Sequence, residues 1–215
     1  NHRWVADLLA FTSRPAEDKD GTTYTHVLLC QDIFSRFLWA KPLRNVSEAT
    51  QAFENILQDS AERMVDAEPT PNRLDTDGGP EFANQQFKAL VASKNIEHVI
   101  KDPKDYQALA TLDRAGGVVK KMLKRRQDAK GGSWLSNLDA VIEAYNNTDH
   151  GGIDAEPGDL SDDKIFSLKK QAAEALQEYT EMLENRKHKL ETEGTYRVHQ
   201  PKSRGGLRRR IDANT

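Results

Sequence analysis

The chain has 215 residues and a net charge of −3, with 37% apolar and 30% charged residues, a polar balance that still permits one packed domain with appendages. A single cysteine, Cys30, excludes a disulfide framework and a cysteine-based zinc site. No stretch approaches the roughly eighteen apolar residues of a membrane span, and no signal-peptide pattern opens the chain, so the expectation is an intracellular protein without a membrane partner. The first residue is Asn1 rather than Met and stands just before a predicted core strand, which reads as a fragment of a longer protein.

Residues 4–12 and 24–32 are short apolar or alternating runs, predicted as strands joined by the polar connection SRPAEDKDG. FLWAKPL at 37–43 predicts a third strand, close enough to complete a meander. Ser47 is placed as a helix N-cap. Ala49, Phe53, Ile56, Leu57, Ala61 and Met64 then recur at three- and four-residue steps, predicting an amphipathic helix over 48–65 that Pro69 and Pro71 end. A fourth strand at 72–76, a helix at 84–93 and a fifth strand at 97–101 follow. After a loop at 102–109, helices are predicted at about 110–127, 134–147 and, past Pro157, 161–192. The last keeps its apolar period from Ile165 to Leu183, as a spacer leaving the domain would. A meander followed by strand–helix alternation predicts an α/β fold: a mixed five-stranded sheet, part antiparallel and part parallel, flanked by helices. The expected divisions are a core at 1–157, a helical linker at 158–193 and a basic tail at 194–215.

Charge is unevenly spread. From Arg114 to Lys130 there are seven Lys/Arg against one acid, and from Arg186 to Arg210 nine against two. Such stripes can form a footprint for a polyanion on a protein of near-neutral charge. Lys120, Lys121 and Lys124 lie in the first stripe, and Arg208, Arg209 and Arg210 end the second.

Three aspartates fall on three elements. Asp7 lies mid-strand, on the face opposite Leu8, where a charge is costly unless it is paired or holds a metal. Asp77 stands just past a strand and before Gly78 and Gly79, at the position that borders the ligand crevice of open α/β sheets. Asp113 lies near the start of the lysine-rich helix. Hard oxygen ligands on separate rigid elements suit a pair of divalent ions about 3.5–4 Å apart, the arrangement used for phosphodiester displacement. Taken singly, each has a plainer explanation: a hydrogen-bonded strand residue, a turn residue and a helix cap, with the lysines a solvated face. Asp75, two residues from Asp77, competes with it as a ligand. Asp32 is read as structural, a partner for Arg36, over the alternative of a place near the site, and Trp4, Trp39 and Trp134 are read as core.

W-x-x-D at Trp4–Asp7, D-x-F-S-R-F at Asp32–Phe37, T-D-G-G-P-E-F at Thr76–Phe82 and Y-N-N-T-D-H at Tyr145–His150 occur in the order found in integrase catalytic cores of retroviruses and LTR retrotransposons. The chain resembles that family over about residues 1–160. The resemblance implies a ribonuclease-H-like fold and a catalytic triad of Asp7, Asp77 and Asp113 holding two Mg²⁺ or Mn²⁺ ions. It also implies trimming of element DNA ends, their joining to target DNA, a homo-oligomer and work in the nucleus. Lys120 matches the position of a lysine that contacts DNA beside the metals. Lys121, Lys124 and Arg208 to Arg210 are the further DNA contacts expected, and Glu81 falls near bound target DNA.

The departures are specific. Asp113 stands where the family has Glu, one methylene shorter, as in some mariner-like transposases of similar architecture. Gly116 and Gly117 each cost about 1 kcal/mol relative to alanine inside a helix. They motivate a competing expectation, a catalytically inactive relic that binds DNA or partners. A nuclease that only hydrolyses is a third. The six histidines lack the cysteines of the family's N-terminal zinc domain, and His150 is read as a packing or hydrogen-bonding residue. The end from Tyr196 is read either as the start of a small DNA-binding domain or as a disordered tail.

Overall fold

The computed structural model describes residues 3–63, 70–101 and 110–193. It divides into two compact units, 1–160 and 161–215. The first holds a five-stranded sheet. β1 (Arg3–Ala10), β4 (His26–Asp32) and β5 (Leu38–Leu43) form the antiparallel meander, and β6 (Arg73–Thr76) and β7 (Glu97–Ile100) add parallel strands in the order β5-β4-β1-β6-β7. Pro42 is tolerated because β5 is an edge strand.

Strand alternation sorts the side chains between two cores. Trp4, Ala6, Leu28, Cys30 and Leu74 point to one face, where α1 (Ala49–Arg63) and α3 (Gln85–Ser93) supply Phe53, Ile56 and Phe87. Val5, Val27 and Leu29 point to the other. There α4 (Ala110–Lys130) and α5 (Trp134–Asn146) supply Leu112, Val119, Leu123 and Leu138. The three tryptophans are core: Trp4 lies 4.5 Å from Trp39 between ring centroids, and Trp134 stacks on Phe11.

Local chemistry starts the helices. Ser133 and Ser136 form a reciprocal capping box on α5, and the Asn84 side chain accepts from Phe87 N–H to cap α3. The expected cap at Ser47 is replaced by Asn45, whose carboxamide accepts from Ser47 N–H and opens a 3-10 turn at Val46–Glu48 ahead of α1. Two further short features were not foreseen. The connection after β1 folds into a small ribbon of β2 (Ala16–Glu17) and β3 (Thr23–Tyr24), with Asp18 accepting from the N–H groups of Asp20 and Thr22. Pro80 at the first helical position starts a single-turn α2 (Pro80–Ala83). Met64 lies outside the described residues.

The second unit is represented by α6 (Asp162–Glu193), a helix of 32 residues. Its apolar positions are largely exposed, Phe166 at 72% and Leu176 at 66%. Among the described residues no helix is long and apolar enough to cross a membrane.

Candidate active site

The sheet register places two of the three aspartates. Val5 on β1 lies beside Asp75 on the parallel β6. Two residues further along each strand, on the same face, come Asp7 and Asp77. Asp77 therefore stands just past the carboxyl end of β6, where the crevice of an open α/β sheet forms, with Asp7 on the neighbouring parallel strand in the middle of β1. That face is covered by α4, and Asp113 occupies the first turn of α4. Gly116 closes the approach of the helix to β1: a Cβ there would stand 2.9 Å from a methyl of Leu9. The glycine that looked costly in the sequence lets the start of α4 pack down over the strand that carries Asp7. Gly117, one position on, faces open space.

Backbone hydrogen bonds orient the two strand-borne carboxylates. Asp7 Oδ1 accepts from Leu8 N–H at 2.7 Å, and Asp77 Oδ1 accepts from Gly79 N–H at 3.0 Å. The second oxygen of each is left for another partner. Asp7 and Asp77 are half-buried, and Asp113 is exposed.

Electrostatics shows that these groups sense one another. Burial raises the Asp7 carboxyl, the Leu8 N–H opposes it, and repulsion by Asp77, Asp113 and Glu81 adds to the rise, leaving Asp7 at about 6. The three largest charges acting on Asp7 are all negative. Glu81 is the member that sequence reasoning assigned elsewhere. Its carboxylate folds back over Gly79, where a Cβ would lie 2.6 Å from it. The signal for this was the glycine two positions before it, which leaves room for the acid.

Asp75, the competing ligand, is committed to another task. It is fully buried and ringed by bases: Arg3 Nε at 2.7 Å, Arg73 Nε at 2.7 Å and Lys101 Nζ at 3.0 Å. Burial pushes its carboxyl up, but hydrogen bonds from Arg73, Lys101 and Arg3 outweigh that and hold it below the ordinary range. Asp32 is structural. Its two oxygens accept from Phe34 N–H, Ser35 N–H and the Ser35 hydroxyl, building the turn between β4 and β5. His150 packs on Tyr145 and contacts its carbonyl oxygen at 3.1 Å through Nε2.

The donor set of Asp7, Asp77 and Asp113 is carboxylate oxygen throughout, the chemistry that Mg²⁺ and Mn²⁺ favour. In the conformation described, no three acidic, histidine or cysteine side chains among the described residues stand close enough to enclose one ion. Lys120, Lys121 and Lys124 are exposed along α4, and Lys124 pairs with Asp128 at 3.0 Å. Arg208, Arg209 and Arg210 lie outside the described residues.

Comparison with known proteins adds the fold relationship. No family model matches the chain. An uncharacterized transposon-derived protein of Caenorhabditis elegans is 32% identical over 149 residues, covering 69% of this chain and 49% of that protein, so the chain spans about half the length of this curated relative. Among solved structures, the magnesium complex of the HTLV-2 integrase catalytic core, in its trimeric form, aligns with a TM-score of 0.54 and 18% identity, covering 73% of this chain and 93% of that one. The integrase core of BIV aligns with a TM-score of 0.54 and 17% identity, covering 73% and 90%. A chain of the simian T-cell lymphotropic virus intasome, solved with a PP2A regulatory subunit, aligns with a TM-score of 0.60 and 20% identity over 73% of this chain and 52% of that one. This chain therefore carries the ribonuclease-H-like fold of retroviral integrase catalytic cores and is similar in sequence to a transposon-derived protein.

Proposed function

We propose that the chain is the catalytic core of a mobile-element integrase, a polynucleotidyl transferase that trims and joins DNA ends at Asp7, Asp77 and Asp113. The observation that carries this reading is the strand register. Asp7 in the middle of β1 and Asp77 just past the end of the parallel β6 follow from that register, with Asp113 on the helix that covers the same face. Repulsion of Asp7 by Asp77, Asp113 and Glu81 is a standing electrostatic cost that cations would remove. Mg²⁺ or Mn²⁺, when bound, would supply Lewis-acid stabilisation and activation of an attacking oxygen.

The chain's own residues do the rest. The Leu8 and Gly79 amides each hold one oxygen of Asp7 and of Asp77. Lys120, Lys121 and Lys124 hold DNA phosphates beside them, a sequence-independent grip. In this reading residues 158–193 are a linker, Arg208 to Arg210 extend the DNA contact, the protein works as a homo-oligomer, and its site of action on host DNA is the nucleus. The HTLV-2 cores, solved with magnesium in dimeric and trimeric forms, support the metal and homo-oligomer parts of this reading alone.

One observation favours a second reading, an inactive relic that binds DNA. Asp113 is both shorter than glutamate and exposed, and the acids do not close on one point. The test is Mn²⁺-dependent joining of labelled oligonucleotide ends to a plasmid, with calorimetry of Mn²⁺ binding. Joined products that vanish in Asp77→Asn support the integrase. Trimmed ends without joined products indicate a nuclease, and neither product nor binding heat indicates the relic.

A further inference from the structure

Between α4 and the segment that follows α5 lies a recess of about 390 Å³, in which Arg36, Arg114 and Tyr145 meet an apolar wall of Ala115, Val118 and Met122. Its polar groups are incompletely used. Nη1 of Arg36 is buried without a hydrogen-bond partner among the described residues, and so is Oε1 of Gln31 at the base of the recess. Gln31 Nε2 donates to the Tyr145 hydroxyl at 3.0 Å, which leaves the phenolic proton of Tyr145 available to donate. The neighbouring acid, Asp32, spends its oxygens on Phe34 N–H, Ser35 N–H and the Ser35 hydroxyl and attracts the Arg36 guanidinium only through its charge. The residue is also held at φ 64, a conformation uncommon outside glycine, by a bond from its N–H to the Asp32 carbonyl at 2.8 Å. Two guanidinium groups thus line one recess together with the Tyr145 hydroxyl. The Asp149 carboxylate on its rim is exposed to solvent.

We propose that this recess is a phosphate site, in which Arg36, Arg114 and the Tyr145 hydroxyl hold a phosphodiester of the DNA strand that passes the carboxylate cluster. The inference rests on the DNA reading above and extends it. Arg114 directly follows Asp113 on α4, so the first turns of one helix carry a residue of the cluster and a residue of the recess. Arg114, Lys121 and Arg125 recur at helical spacing and are all exposed, so a basic stripe leads away from it. A planar guanidinium fork matches phosphate oxygens, and such contacts set the register of a nucleic acid without reading its sequence.

The test is fluorescence anisotropy of a labelled duplex oligonucleotide with the full chain in EDTA, over a series of KCl concentrations. Arg36→Gly suits the left-handed backbone there, and Arg114→Gln lies on an exposed helical position, so both variants are expected to fold. Together they should weaken binding about tenfold and reduce the slope of log affinity against log salt by about 1, the loss of one phosphate contact. Arg36→Lys should restore part of the slope. If the wild type binds DNA and the double variant binds with the same affinity and slope, the site is overturned while the DNA reading stands. Weaker binding at an unchanged slope also overturns it, as damage rather than a lost phosphate contact. A wild-type chain that binds no DNA at any salt overturns both. Should Arg36→Gly prove unfolded by circular dichroism, Arg114→Gln alone decides, by the same two readouts.

Discussion

Asp75 and Asp7 stand on neighbouring parallel strands and face the same side of the sheet, yet their carboxyls lie in opposite surroundings. Arg3, Arg73 and Lys101 ring Asp75, and their bonds hold its carboxyl below the ordinary range. Asp7 faces Asp77, Asp113 and Glu81, and with burial this repulsion lifts it to about 6. One carboxylate is satisfied by the protein and the other is not. The difference separates a structural acid from a candidate ligand where residue type and spacing do not, since strongly perturbed groups collect at functional sites.

The largest effect expected is on chemistry. Asp77→Asn should lower metal-dependent DNA joining at least about 100-fold, on the scale of disturbed metal ligation. Its midpoint in urea should be unchanged or higher, because one source of repulsion is gone. Asp75→Asn should do the reverse, keeping the cluster but lowering unfolding free energy by about 2–4 kcal/mol, because the buried carboxylate that gathers the bonds of Arg3, Arg73 and Lys101 is lost. Equal urea midpoints for Asp75→Asn and wild type would break the comparison.

The next effect is on pH. In the absence of metal, Asp7 has a folded pKa of about 6, above its reference value of 3.8. Its contribution to stability is therefore fully present below the reference value and is lost as pH rises toward the folded one. Asp75 is lowered, so its contribution is present above the ordinary carboxyl range and is lost as pH falls below it. Urea titrations of Asp7→Asn and wild type in EDTA should diverge as pH rises from about 4 to about 6. A flat difference would remove the repulsion argument.

The smallest effect separates two adjacent glycines. Gly117→Ala, where nothing obstructs a Cβ, should stabilise the chain by about 0.5–1 kcal/mol. Gly116→Ala meets the Leu9 methyl at 2.9 Å and should gain less or lose stability. Paired thermal melts read both.

The elements with a strong period were legible in the sequence. The meander, α1, α3, α5 and α6 were placed within a few residues, because apolar spacing and turn formers agree there. Asp77 was separated from Asp75 only through the T-D-G-G pattern. The physical reason, three bases drawn from β1, β6 and the residue after β7, depends on pairings between segments far apart in the chain. The β2–β3 ribbon escaped because two-residue strands leave no periodic signal. Gly116 was misjudged for a related cause: propensity counts its cost inside a helix, while the gain lies in contact with Leu9, over a hundred positions earlier.

The pairing of Val5 with Asp75 also limits how this protein can change. Because neighbours along a strand face opposite sides, loss or gain of one residue within β6 would exchange the two faces. Asp75 would be driven among the phenylalanines and Thr76 would meet the arginines. Length variation among relatives should therefore fall in the connections flanking β6 and spare its four residues.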